Sequence, residues 1–313
     1  MDIVSCIDKK FVMPTGVMAC SACANNPDVD ITFHIITDES VTSKDKKDLE
    51  DTICHFCNKH VVFYDFDSQI VSSYPNYLKN GPSLATYYRL FLSVILPASL
   101  DKVLYLDGDI IIRDSLQQLW ETDLSGFAIA AVPDLNSDVS DAYHRLQYDP
   151  KYGYFNAGVM LINLHYWREH LDTTTICSFI QIYHERILFH DQDVLNYFLR
   201  KHKRPLSIRY NFLQDYLIID NFMKYEQIVL EALKGLVIIH YASSQKPWHA
   251  FIQTPHPLYG SFYKYQEQTI WKGYQEDNRT LRSKLKGHIV TLLRSKGVSI
   301  SINNPYVNIQ LTD

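Results

Sequence analysis

Short apolar runs alternate with amphipathic stretches over the first two thirds of the chain. Residues 2–7, where Ile3, Val4, Cys6 and Ile7 dominate, read as a buried strand. Residues 12–24 suit a helix, and the β-branched and aromatic run ITFHII at 31–36 predicts a second strand. Ser43 stands where it can cap a helix running to about residue 57, with the strand Val61-Val62-Phe63-Tyr64 after it. Residues 84–95 (LATYYRLFLSVI) predict a helix ended by Pro97. The buried strand KVLYL at 102–106 runs into Asp107, and apolar strands follow at 127–132 and 158–162. Helices are predicted over 173–187 and 191–203, a late strand over 236–240 (LVIIH), and a loop-rich, Pro-punctuated stretch over 245–262. This order predicts an α/β fold: a mostly parallel sheet with helices on both faces. Ligands of such sheets sit beyond the carboxyl ends of the strands.

The pattern changes near the end. Between Arg279 and Lys296 stand six Lys or Arg and no acid, while Leu281, Leu285, Ile289, Leu292 and Leu293 recur at helical spacing. That is a basic amphipathic helix, suited to an anionic membrane surface; the plainer reading packs it on the main domain or on an oligomer partner. The division expected is a catalytic domain over 1–265 and a C-terminal segment over 266–313. With 46% hydrophobic residues in 313, the chain can bury a sizeable core. A net charge of −5 and a body without a basic stripe argue against a nucleic-acid partner. No apolar run reaches the length of a membrane span. The chain opens on an acidic residue and a strand rather than a basic leader, so the body is expected to fold in the cytosol.

Six cysteines include two C-x-x-C pairs, Cys20/Cys23 and Cys54/Cys57. A four-thiolate zinc site is the sharp reading. The favoured one places both pairs on helices as buried free thiols, because i and i+3 share a helix face and no Gly follows either pair.

The strongest local chemistry is Tyr105-Leu106-Asp107-Gly108-Asp109-Ile110. Two carboxylates at the end of a buried strand cannot be left unpaired in a core, and close like charges repel unless a cation or a proton sits between them. A divalent ion would neutralise both and bridge to phosphates, with small Gly108 leaving room for a ligand. An isolated D-x-D is frequent and also reads as a capped turn.

Around it stand further segments in order: Thr86-Tyr87-Tyr88-Arg89-Leu90, the run KVLYLDGD at 102–109, Tyr154-Phe155-Asn156-Ala157-Gly158-Val159, His190-Asp191-Gln192-Asp193, and His240-Tyr241 followed by Lys246-Pro247-Trp248-His249. Together, over roughly residues 2–265, they resemble the retaining glycosyltransferases that include lipooligosaccharide galactosyltransferases, glycogenin and the bacterial lipopolysaccharide glucosyl- and galactosyltransferases. The resemblance implies a GT-A-like nucleotide-sugar-binding fold and a UDP-sugar donor, with UDP-glucose and UDP-galactose not distinguished. It implies a saccharide acceptor, with a lipopolysaccharide or lipooligosaccharide core preferred over another cell-surface or protein-linked glycan. It also implies a cation held by Asp107, Asp109 and His240, and an imidazole ligand suits Mn²⁺ better than Mg²⁺.

By the same resemblance Asp8 contacts the nucleoside and Phe11 stacks on the base, although Lys10 stands where relatives often have Asn. Arg89 bridges the donor sugar and nearby carboxylates; its plain alternative is a helix-surface ion pair. Asn156 bonds a sugar hydroxyl beside Ala157, Gly158 allows close packing, and Asp191 accepts from sugar hydroxyls. Lys246 holds the departing β-phosphate, and Ser243 replaces a frequent Gly nearby. Asp134, after the strand at 127–132, borders the acceptor. Gln192 occupies the position of a β-face nucleophile, but an amide is a poor one, so double displacement and a front-face route both stay open. A pyrophosphorylase would carry a Gly-rich loop after the first strand, and Cys6-Ile7-Asp8-Lys9-Lys10 is not one. A phosphohydrolase would need no acceptor, and a non-catalytic scaffold would have lost part of the set Asp107, Asp109, His240 and Lys246.

Overall fold

The structure is a computed structural model that describes residues 1–76, 83–135, 139–252, 254–278 and 304–307. The basic amphipathic stretch 279–296 lies outside the described residues. Among the described residues ten strands form two sheets: β1 Asp2–Ile7, β2 Ile31–Thr37, β3 Lys59–Asp65, β4 Lys102–Leu106, β5 Ile110–Ile112, β6 Ile129–Pro133, β7 Phe155–Asn163, β8 Lys203–Pro205, β9 Phe212–Leu213 and β10 Ile238–His240. Seven lie in the order β3-β2-β1-β4-β7-β6-β8, and β5-β10-β9 form a small second sheet. β3, β2, β1 and β4 pair in parallel, whereas β7 runs antiparallel to both β4 and β6. The large sheet is therefore mixed and mostly parallel, as the alternation of elements predicts.

Both faces of the large sheet are covered, which is why its strands read as near-continuous apolar runs. Alternation along each strand sorts side chains into two cores. Ile3, Ile7, Leu104 and Leu106 enter one, with the helix Val12–Asn25 and the small sheet. Val4, Val103 and Tyr105 enter the other, with Tyr87, Trp167 and the helix His190–Leu199.

Several boundaries differ from expectation, each for a local reason. Thr42 rather than Ser43 caps the second helix, because Thr42 and Asp45 exchange hydrogen bonds in a capping box. That helix stops at Ile53, and Asn58 takes a left-handed φ of 55° before β3 begins. Cys54 and Cys57 consequently lie at and beyond the helix end and are exposed, whereas Cys20 and Cys23 are buried on the helix Val12–Asn25. The expectation of two helical, buried pairs holds for the first pair only. Residues 84–91 form a 3₁₀ helix and only 92–95 an α-helix. The three-residue repeat aligns Tyr88 and Phe91, and both rings pack on Phe66 with centroids at 4.3 and 5.3 Å. The helices expected over 173–187 and 191–203 end at Ile182 and Leu199, and the edge strand β8 takes up Lys203–Pro205.

Beyond the loop-rich stretch, the helix Tyr259–Gln266 packs beside the helix Val12–Asn25, where Asn25 donates to the Tyr265 hydroxyl at 2.7 Å. Trp271 lies so close to Gly16 that an added Cβ there would sit 2.1 Å from the indole. No helix among the described residues is long and apolar enough to cross a membrane.

Candidate active site

The seam between the two sheets builds the site. β4 ends at Leu106, the turn Asp107-Gly108-Asp109 follows, and the chain enters β5 at Ile110. Asp107 N–H donates to Gly158 O at 2.9 Å, tying the turn to β7. β10 runs antiparallel to β5 with His240 opposite Ile110, and Tyr241 N–H donates to Asp109 O at 2.9 Å. Backbone pairing thus delivers three side chains to one point. His240 Nε2 lies 3.2 Å from Asp109 Oδ1 and 3.8 Å from Asp107 Oδ2. One ligand atom from each of the three residues lies within 4.8 Å of the others, a metal-capable grouping.

A divalent cation fits this donor set. Two carboxylate oxygens and one imidazole nitrogen suit a first-row ion, and Gly158 keeps the space open: a Cβ there would lie 2.3 Å from His240 Cε1 and 2.8 Å from Asp107 Oδ2. Burial alone would raise the Asp109 carboxyl, but Lys246 and His240 against it hold it well below the usual carboxylate range. Lys246 Nζ donates to Asp109 Oδ2 and to Tyr241 O, both at 2.6 Å. The expected role of Gly108 needs correction. Its missing Cβ leaves no room for a ligand, because Thr15 Oγ1 and Phe11 Cδ1 would lie 2.4 and 3.0 Å from it. Gly108 lets the turn settle onto the helix Val12–Asn25.

Arg89 anchors the opposite wall. It is only 4% exposed, which overturns the surface ion pair as its plain alternative. Its guanidinium meets Asp107 Oδ1 at 2.9 Å and Asp191 Oδ2 at 3.0 Å, donates to Ala157 O at 2.8 Å, and lies over the Tyr105 ring. Tyr105 OH also donates to Asp107 Oδ1 at 2.8 Å. Burial pushes the Asp191 carboxyl up to about 6, with Arg89 opposing and Asp107 adding to the rise.

Gln192 is held at both ends of its amide. Its oxygen accepts from Ala157 N–H at 3.0 Å, and its NH₂ faces Tyr154 OH at 3.3 Å and Asp134 Oδ2 at 3.4 Å. Asn156 Oδ1 accepts from Gly158 N–H at 2.9 Å and from Asn211 at 2.8 Å, which leaves its NH₂ for a ligand. Asp8 caps its own turn by accepting from Lys10 N–H and Phe11 N–H. Phe11 borders the Asp107-Gly108-Asp109 turn and meets Trp248 edge-on at 6.3 Å. Ser243 Oγ pairs with Gln214 and donates to Gln245 O at 3.2 Å.

Three participants went unassigned at the sequence level. Tyr154 and Asp193 lie inside the ordered segments, yet their side chains carried no expected role. Asp193 is fully buried and accepts from Tyr154 OH, Leu188 N–H, Phe189 N–H and Arg145, fixing the turn before Asp191 and Gln192. Asn211 is a lone amide in an irregular stretch, and nothing in its neighbourhood marks it.

A mostly parallel GT-A-like sheet with an Asp-Asp-His cluster at its carboxyl edge, walled by Arg89 and Lys246, defines a glycosyltransferase. The chain belongs to glycosyl transferase family 8, whose profile matches residues 2–251. It is 30% identical over 252 residues to the lipopolysaccharide 1,3-galactosyltransferase of Salmonella typhimurium, covering 78% of this chain and 72% of that protein. It is 28% identical over 275 residues to a lipopolysaccharide 1,2-glucosyltransferase of Escherichia coli K12, covering 85% and 77%. Among solved structures, the galactosyltransferase LgtC in complex with donor and acceptor sugar analogues matches with a TM-score of 0.74 and 26% identity, over 92% of this chain and 99% of that one.

Proposed function

We propose that this glycosyltransferase moves glucose or galactose from a UDP-sugar to a saccharide acceptor with retention of configuration, using Mn²⁺ or Mg²⁺ held by Asp107, Asp109 and His240. The observation that carries the reading is the convergence of these three side chains at a site walled by Arg89 and Lys246. When bound, the cation neutralises the two carboxylates and draws charge from the donor diphosphate. Lys246 turns from Asp109 toward the β-phosphate and stabilises the charge that develops as the sugar–phosphate bond breaks. Phe11 and Asp8 border the nucleoside. Arg89 and Asp191 hold the sugar, the carboxylate accepting from its hydroxyls and the Asn156 NH₂ donating to them.

The Gln192 oxygen already accepts from Ala157 N–H, which reduces its nucleophilicity and supports the front-face route. There the acceptor oxygen bonds to the anomeric carbon on the face the diphosphate leaves, and the acceptor proton passes to the departing diphosphate. Asp134, in contact with Gln192, borders the acceptor.

The preferred acceptor is a lipopolysaccharide or lipooligosaccharide core, supported by the relatives' activities. Such an acceptor places the enzyme at the inner face of the cytoplasmic membrane. The basic stretch 279–296 is a fitting surface contact, since each basic residue near an anionic leaflet adds about 1 kcal/mol. Liposome co-sedimentation of the full chain and of a chain ending near residue 275 tests that contact, and equal binding of both to anionic vesicles rejects it. A donor-hydrolysis screen across UDP- and GDP-sugars tests the reaction. Turnover of UDP-glucose or UDP-galactose is expected, and preference for a GDP-sugar contradicts the reading. Comparison of surface glycans with and without the active protein tests the acceptor; an unchanged lipopolysaccharide removes it.

A further inference from the structure

His240 can serve as a metal ligand through Nε2 only if its proton sits on Nδ1, and imidazole alone does not fix that choice. The surroundings do. Gly158 N–H can only donate, so the Asn156 atom 2.9 Å away must be the amide oxygen. That oxygen also faces Asn211 at 2.8 Å, so Asn211 must present its NH₂ there. The opposite end of the Asn211 amide is then its oxygen, 2.9 Å from His240 Nδ1. An amide oxygen only accepts, so Nδ1 must carry the proton. Nε2, which faces Asp107 and Asp109, is then the nitrogen that can give up its proton and ligate a cation held between them. Asn211 is fully buried and His240 nearly so, so water does not compete along this chain of bonds.

We infer that Asn211 is a positioning residue that writes the tautomer of His240, and that it couples Asn156 to the metal site. One rigid backbone N–H, at Gly158, sets the polarity of three side chains in series. Gly158 therefore acts twice: its missing Cβ admits His240, and its N–H dictates which imidazole nitrogen is free. The inference rests on the proposed metal role of His240, but the tautomer itself belongs to the metal-free protein and is measured there. Outer partners of this kind, hydrogen-bonded to a ligating histidine, typically change metal affinity by about 10–100-fold when removed.

The test pairs Asn211→Ala with Asn211→Asp. Aspartate keeps an acceptor for His240 Nδ1–H, loses the donor toward Asn156 and adds a buried negative charge; alanine loses both donor and acceptor. Histidine-¹⁵N spectra of the metal-free protein at pH 8, with His240 assigned through His240→Gln, report which ring nitrogen is protonated. Titration with Mn²⁺ alone, following free Mn²⁺ by electron paramagnetic resonance, reports affinity. Wild type is expected to show protonated Nδ1. Asn211→Ala is expected to show mixed tautomers and about 10–100-fold weaker Mn²⁺ binding. Asn211→Asp is expected to keep the Nδ1 proton. The inference is overturned if Asn211→Ala keeps both properties, if wild type is protonated at Nε2 and not at Nδ1, or if a folded Asn211→Asp loses the Nδ1 proton. That last arm holds even where the alanine variant does not fold. Absence of Mn²⁺ binding by wild type, with the Nδ1 proton in place, would count against the metal reading and leave the relay standing.

Discussion

The two walls of the site are built on different principles. On the small-sheet side, Asp109, His240 and Lys246 crowd together, and cationic neighbours outweigh the burial of the carboxylate. On the large-sheet side, Arg89 is shared between two carboxylates, and burial of Asp191 wins over its partner, raising that carboxyl to about 6. One wall holds ionised groups that the proposed cation and donor diphosphate would reorganise. The other is a fixed lattice, with Arg89, Ala157, Gln192 and Tyr154 bonded through backbone and side chain. The contrast suits the proposed transfer, in which charge would develop and leave at the first wall while the second would hold the sugar still.

Removing a ligand from the small-sheet wall should have the largest effect. Asp109→Ala is expected to lower transfer by at least about 10²–10³-fold, the range for deleting a preorganised charge-stabilising group. Circular dichroism should stay unchanged, because Lys246 remains near solvent. Arg89 is the opposite case. Arg89→Met leaves two acids near a buried gap, and breaking such a pairing costs about 3–5 kcal/mol. Denaturant unfolding should register that loss along with the loss of activity. Equal stability of the Arg89 and Asp109 variants would erase the distinction between the walls.

The pH dependence of stability sharpens the same contrast. The folded-state pKa of Asp191 lies above the ordinary 3.8, so folding favours its protonated form. The stability this provides is full below about pH 4 and is lost as pH rises through about 6. A tenfold change in proton affinity is worth about 1.36 kcal/mol, so the loss across that window is about 3 kcal/mol. Asp191→Asn should flatten the stability profile between pH 4 and 7. A variant profile that parallels wild type would mean that Arg89 fully offsets the burial. The smallest change is Gly158→Ala. Overpacking costs about 1–3 kcal/mol, and the displaced imidazole should weaken Mn²⁺ binding in a titration even where the fold survives.

The strands that carry the site were readable because both faces are buried. Residues 103–106 and 159–162 are unbroken apolar runs that end at Asp107 and Asn163. β8 was not readable, since an edge strand of Lys203, Arg204 and Pro205 carries no apolar signal. The helix expected over 84–95 is 3₁₀ over 84–91, and burial of Ala85 and of every residue from Tyr87 to Phe91 leaves no polar face from which a period could be read. In the site, ordered motifs pointed to residues whose side chains do converge, such as Asp107, Asp109 and His240. Spacing could not say which way a missing Cβ faces: Gly158 opens toward the site and Gly108 toward Thr15. Nor could it find Asn211, which reaches His240 from β9's edge across 29 positions of sequence.

The most direct measurement is hydrolysis of UDP-glucose and UDP-galactose before chelation, after chelation, and after Mn²⁺ or Mg²⁺ is restored. The expected result is activity with at least one donor, its loss on chelation, and its recovery with the ion, in wild type but not in Asp109→Ala. Full activity in metal-free buffer would contradict the role given to Asp107, Asp109 and His240.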